Sequence, residues 1–190
     1  MKTAFYTGNG DDGQTRVGAK AIPKSSPLLS LLGSLDELNS WLGLCRVEAD
    51  RMAERLQGGA VNIAGACRAI QEALFRAQAQ IGSLAFDVER PKTVVHGKHT
   101  RVLEKLIADI DGVVPKLTTF VVPGGSELSA RLDVARTLAR RLERTAVAVH
   151  RSKPLPDELL EFLNRLSSAL FALARYANVV QGVPEEPPAY

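Results

Sequence analysis

The sequence predicts an all-α fold, a bundle of five helices, and three observations predict it. Apolar residues recur at spacings of three and four through most of the 190 residues, the period of one helix face. Breaks rich in glycine and proline divide the chain into segments of helix length, and such residues punctuate helices. The β-branched run at 118–122 meets Pro123-Gly124-Gly125 at once, so it reads as an extended connector and not as a sheet strand.

The elements follow in order. Residues 1–25 contain Gly and Lys without a sustained period and read as a glycine-rich N-terminal loop with at most a brief strand. Ser26-Pro27 starts the first helix, a Ser N-cap before a Pro at the first helical position. Leu28, Leu31, Leu35, Leu38, Leu42 and Cys45 carry it to about Met52. Gly58-Gly59 separate it from a second helix bearing Ile63, Ile70, Leu74, Ile81 and Leu84. After Pro91 a third covers roughly 95–111, with Val102, Leu103, Leu106 and Ile110 turned inward. Ser126 caps the fourth, which runs to about Arg151, and Asp157 opens the fifth, which runs to about Gln181. The bundle therefore spans 26–181. Residues 182–190, rich in Pro and Glu, read as a flexible tail.

Composition narrows the function. A net charge of +3 with 5% aromatics argues against general nucleic-acid binding, which shows a stronger basic bias and stacking aromatics. The apolar runs are short and interrupted by charge, so no membrane span is expected. The first residues lack the apolar stretch of a secretory leader. Cys45 and Cys67 lie singly in helical patterns and are expected as reduced core thiols of a cytoplasmic protein. No paired-cysteine metal site is present.

Four segments carry residues suited to chemistry. On the fourth helix Ser129, Asp133, Arg136, Arg140 and Glu143 share one face, while Leu128, Leu132, Val134, Ala135, Leu138, Ala139, Leu142 and Ala146 cover the other. Arginine forks match phosphate oxygens, so Arg136 and Arg140, one turn apart, can hold a polyphosphate, with Glu143 orienting Arg140. A solvated basic face is the alternative. In the opening, Gly8, Gly10 and Gly13 allow close backbone approach to an anion. Thr7, Thr15 and Lys24 add donors and Asp11 a carboxylate; a plain surface turn is the alternative. Asn164 and Ser168 sit one turn apart on the fifth helix, placed for a specific or a merely local hydrogen bond. Asp36 interrupts an apolar first helix, as an ion-pair partner or as an exposed carboxylate. His96 and His99 flank a helix start at a spacing of three; a metal pair is the alternative there, disfavoured by the lack of further ligands.

In order and combination, these segments resemble the PduO-type ATP:cob(I)alamin adenosyltransferases. The family shows Thr-Gly-x-Gly-Asp-x-Gly-x-Thr, then Lys, then Gly-x-x-Asp-Glu-Leu-Asn. Later come Ile-Gln-x-x-Leu-Phe, Phe-x-x-Pro-Gly-Gly, Val-Ala-Arg-x-x-x-Arg-Arg-x-Glu-Arg and Leu-Asn-Arg-Leu-Ser-Asp-x-Leu-Phe. This chain carries them, in whole or nearly so, at 7–15, Lys24, 33–39, 70–75, 120–125, 134–144 and 163–171. The resemblance implies a ferritin-like up-and-down helical core assembled as a homotrimer, with active sites between subunits. It implies that cob(I)alamin attacks the 5′ carbon of ATP, giving adenosylcobalamin and tripolyphosphate. By the family pattern the opening loop and Lys24 close over ATP, and Arg136, Arg140, Glu143 and Arg144 serve the triphosphate with magnesium. Asn164 would hold magnesium or nucleotide, Asp36 would pair with Arg136 across the subunit boundary, and Phe120 would block the lower face of the corrin. A cobalamin reductase and an adenosylcobalamin-dependent enzyme are the implied protein partners.

Several positions depart from the pattern. Ser168 stands where the family usually has Asp, Asp133 where His is common, Leu142 for a usual Ala, and Leu31-Leu32 for a polar-aromatic pair. Ser168 keeps open a second reading, a paralogue that carries or senses ATP or adenosylcobalamin without efficient turnover. A third is a structural bundle whose arginines are surface charge.

Overall fold

The computed structural model describes residues 5, 6, 8–52 and 59–189; Thr7 lies outside them. The N-terminal segment folds as an antiparallel hairpin of β1 (Gln14–Val17) and β2 (Lys20–Pro23), with Thr15 opposite Ile22. The sequence suggested at most one short strand there. Period counting misses a hairpin of four-residue strands that has no buried face.

Helix α1 (Pro27–Arg51) starts at the expected proline, whose missing N–H has no helical partner to lose. Ser26 stands at the cap position, but its side chain makes no capping bond. In α2 (Ile63–Phe86) Asn62 Oδ1 accepts from the Gly65 N–H at 2.8 Å, closing one of the free donors of the first turn. Helix α3 (Gly97–Asp111) opens with a reciprocal cap in which His99 Nδ1 accepts from the His96 N–H at 3.0 Å. The histidine pair is thus a helix cap, and among the described residues no cluster of three metal-ligating side chains exists. Helix α4 (Glu127–Ser152) is capped by Ser126 and α5 (Asp157–Val180) opens with Asp157 and Glu158, acidic groups that favour a helix N-terminus.

Helix α1 packs on α2 and α4, α4 on α5, and α5 on α3. The core lies among Leu31, Leu35, Leu38 and Leu42 of α1, Leu74 and Ile81 of α2, Leu128, Leu132 and Leu142 of α4, and Phe162, Leu166 and Leu170 of α5, all nearly fully buried.

Two inward assignments fail. Val102 is exposed, because α3 is covered on its α5 side alone and only a narrow stripe with Leu103 and Ile110 is buried. Val134 is also exposed, whereas Ser129 and Asp133 on the supposed polar face are buried. The chain at 124–126 folds over the start of α4, and Ser129 Oγ donates to Gly124 O at 3.0 Å. The tail is anchored where looseness was expected: Glu185 pairs with Arg175, and the Val122 N–H donates to Glu186 O. No described helix is long and apolar enough to cross a membrane.

Candidate active site

Helix α4 presents Arg136 and Arg140 toward α5 and the connector. Arg136 Nε donates to Asp133 Oδ1 at 2.9 Å, and its guanidinium lies 5.8 Å from the centre of the Phe171 ring. One edge of the fork is fixed by a carboxylate and one face rests on an aromatic ring, which leaves the terminal amino groups for a ligand. Arg140, one turn on, has no hydrogen-bond or ion-pair partner among the described residues. Four residues of helix place the two about 6 Å apart along the axis.

Both line a cavity of about 780 Å³ whose opposite wall is the connector, with Leu117, Phe120 and Pro123. Phe120 is 78% exposed, so packing in this chain does not explain its place at the rim. A second cavity of about 380 Å³ adjoins the first through Arg140, Ser167 and Ser168 and adds Glu143, Arg144 and Asn164.

Glu143 does not orient Arg140 as the three-residue spacing suggested. It reaches across to α5, where its Oε1 accepts from Asn164 Nδ2 at 2.7 Å. The neighbouring helix offers it an amide donor. Asn164 Oδ1 in turn accepts from Arg165 Nη1 at 3.2 Å, and Arg165 Nε donates to Glu104 of α3 at 3.0 Å. Asn164 is therefore held between α4 and α3, at the wall of the second cavity. Arg141 turns away from the site to pair with Glu37 of α1.

The break after the connector is held by a residue the sequence reading missed. Asn178, buried on α5, accepts from the Ser126 N–H at 2.9 Å and donates to Gly124 O at 2.8 Å. Gly125 has φ +98°, and a Cβ there would come within 2.8 Å of the Asn178 amide. Only glycine fits that approach. The available signal was an Asn inside the apolar row Leu173, Ala174, Ala177. Asp133, placed on the arginine face and noted as a departure but given no role, is the second, because it sets the Arg136 fork.

The glycine-rich opening is held by its own backbone. Gly8, Gly10 and Gly13 all have positive φ. Lys24 Nζ donates to Gly10 O at 2.8 Å, and the Lys24 N–H donates to Gly13 O at 2.9 Å. A Cβ on Gly10 would meet Gln14 O at 2.6 Å. Asp11 is exposed and Thr15 half-buried. The hairpin leans on α2 through β2, and none of its residues lines either arginine cavity. Asp36 is exposed on α1 with no partner among the described residues.

The fold thus brings together Arg136, Arg140, Glu143, Arg144, Asn164 and Phe120. It does not bring Gly8, Gly10, Asp11, Gly13, Thr15, Lys24 or Asp36 to them within one chain. The sequence model of the cobalamin adenosyltransferase family matches residues 5–177, which takes in the hairpin, connector and helices alike. The chain belongs to the cobalamin adenosyltransferase family. A corrinoid adenosyltransferase from Bacillus subtilis is 35% identical over 179 residues, 94% of this chain and 89% of that protein. One from Citrobacter freundii is 38% identical over 172 residues, 90% of this chain and 93% of that protein. A variant PduO-type ATP:corrinoid adenosyltransferase from Lactobacillus reuteri, complexed with cobalamin and ATP, superposes with a TM-score of 0.84. Its identity is 34%, covering 97% of this chain and 99% of that one. Within the adenosyltransferase family, then, this member carries its arginines and connector on one surface and its hairpin on another.

Proposed function

We propose that this protein transfers the 5′-deoxyadenosyl group of ATP to cob(I)alamin. Cobalt(I) attacks the 5′ carbon, a Co–C bond forms, the C5′–O5′ bond breaks, and the electron pair leaves with tripolyphosphate. The observation that carries the reading is Arg136 and Arg140 facing the Phe120 connector across one 780 Å³ cavity. Charge accumulates on the departing triphosphate, and fixed guanidinium donors stabilise it as it develops. Arg136 arrives already oriented by Asp133 and Phe171. Arg144 and Arg140 extend the positive wall into the second cavity. Phe120 offers no donor atom, so it suits the water-excluded face of a corrin whose lower axial position must stay empty.

Magnesium fits the second cavity as a companion of ATP. The Glu143 carboxylate is a hard oxygen donor lining it, and Asn164 would join it through Oδ1 by releasing Arg165, from which that oxygen now accepts. One or two protein oxygens completed by phosphates and water are the usual magnesium set. Bound there, the ion would neutralise phosphate charge.

The separation of hairpin and Asp36 from the arginines within one chain supports a homotrimer whose sites are completed by a neighbour's loop. In that assembly Arg136 keeps Nε on Asp133 and offers its terminal amino groups to a neighbour's Asp36. We also assign the protein to the cytoplasm, where a reductase would supply cob(I)alamin and an adenosylcobalamin-dependent enzyme would receive the product.

The test is anaerobic mixing with ATP, magnesium and chemically reduced cob(I)alamin, followed by absorbance. Light-sensitive adenosylcobalamin formed over many turnovers is the expected result; ATP binding without product would overturn it. One observation favours the carrier reading: Ser168, where relatives of this pattern usually place Asp, borders both cavities. Ser168→Asp should leave turnover within about tenfold, some 1.4 kcal/mol. A larger rise would show a chain tuned away from catalysis.

A further inference from the structure

We infer that Arg175, clamped by the C-terminal segment, is a positioning residue that fixes Phe120 at the cavity rim. The inference rests on the corrinoid reading of that cavity. Between Pro115 and Val122 the connector backbone makes no hydrogen bond of its own among the described residues. Phe120 therefore stands in an arc whose shape depends on its two ends.

Both ends are held by the tail. Arg175 Nη2 donates to Pro115 O at 2.8 Å. The same guanidinium binds Glu185 with both oxygens, Nε to Oε1 at 2.8 Å and Nη2 to Oε2 at 2.7 Å. Two parallel bonds fix the plane of an arginine fork as a single bond does not. The two side chains are 12% and 16% exposed, the best-shielded ion pair among the described residues. At the other end the Val122 N–H donates to Glu186 O at 2.8 Å. Adjacent tail residues thus hold the arc at 115 and 122. The tail is turned back by Gly182, at φ +66°, with the Val183 N–H bound to Asn178 O at 3.0 Å. Asn178 already grips Gly124 and Ser126, so the end of α5 organises the connector, the glycine break and the tail together. A cavity of about 320 Å³ beneath the arc, bounded by Leu117, Phe171 and Arg175, leaves it little support from below.

Three variants test this: Arg175→Met, Glu185→Gln and a chain ended after Val183. Amide hydrogen exchange is read on the ligand-free protein, and KM is read separately for ATP and cob(I)alamin. Exchange at Val122 should quicken about tenfold in the shortened chain, the loss expected for one local hydrogen bond, with α4 amides unchanged. The corrinoid KM should rise several-fold in all three while the ATP KM holds. Glu185→Gln keeps the shape and one acceptor, so it remains informative if Arg175→Met does not fold. Unchanged exchange at Val122 in the shortened chain would overturn the inference, as would an equal rise in both KM values. If the wild-type protein makes no adenosylcobalamin, the functional reading fails, but the exchange result still decides whether the tail holds the arc.

Discussion

The α4 face and the N-terminal hairpin both offer groups that bind anions, but they hold them in opposite ways. On α4 the donors are side chains on a rigid helix, set before any ligand arrives by Asp133, Phe171 and the Glu143–Asn164 bond. In the hairpin the donors are backbone amides, shaped by three glycines at positive φ and closed by Lys24 on Gly10. A preset helix face can stabilise charge that develops late in a reaction. An exposed loop is better suited to capturing and covering a substrate, because its ordering can be completed by the ligand. The two regions should therefore fail differently when altered.

The largest effect should come from the rigid side. Arg136→Ala or Arg140→Ala should lower kcat by about 100- to 1000-fold, the usual cost of a lost transition-state donor. Melting temperature should barely move for Arg140→Ala, since Arg140 has no partner to lose among the described residues, and should fall for Arg136→Ala, which leaves buried Asp133 unpaired. A rise in ATP KM with kcat intact would erase the contrast. Gly10→Ala tests the other side. Its Cβ would collide with Gln14 O at φ +106°, and strain of about 1–3 kcal/mol should raise ATP KM about tenfold or more. The α-helical circular dichroism should stay unchanged. Asn178→Ala removes both bonds that shape the glycine break. Burying their partners unsatisfied should cost about 1–3 kcal/mol, read as a lower melting temperature with a weaker corrinoid response.

The smallest effect concerns the core that carries both regions. Burial pushes the Cys45 thiol up to about 12 and raises Cys67 further. Both should resist alkylation at pH 8 until the protein unfolds. The folded state keeps these protons while unfolded thiols ionise near their ordinary range. Stability should therefore decline as pH rises above about 9. Rapid labelling of the native protein would show that the core opens.

Helix order was legible because each helix carries its own period and breaks. Ser26-Pro27, Ser126 and Asp157 sit at or beside the observed starts of α1, α4 and α5. The arginine pair was legible from helical spacing alone, since Arg136 and Arg140 share one face wherever the helix packs. Partners across helices were not. Glu143 had an intrahelical option three residues back and took Asn164 from α5 instead. Asp133 counted as surface because its face also holds arginines, yet it is buried and paired with Arg136. The tail looked loose by composition, and composition does not reveal that Arg175 waits beneath it.

The pairing of Arg136 with Asp133 has a consequence for selectivity. Three arginines share the cleft with two carboxylates, Asp133 and Glu143, so much of the positive charge is already answered. A small monoanion, such as chloride or bicarbonate, gains little by entering. A ligand carrying several negative charges along a chain can engage Arg136, Arg140 and Arg144 together, and its gain grows with each phosphate. On the proposed reading the internal carboxylate should act as a threshold, weakening the response to small anions relative to a long one.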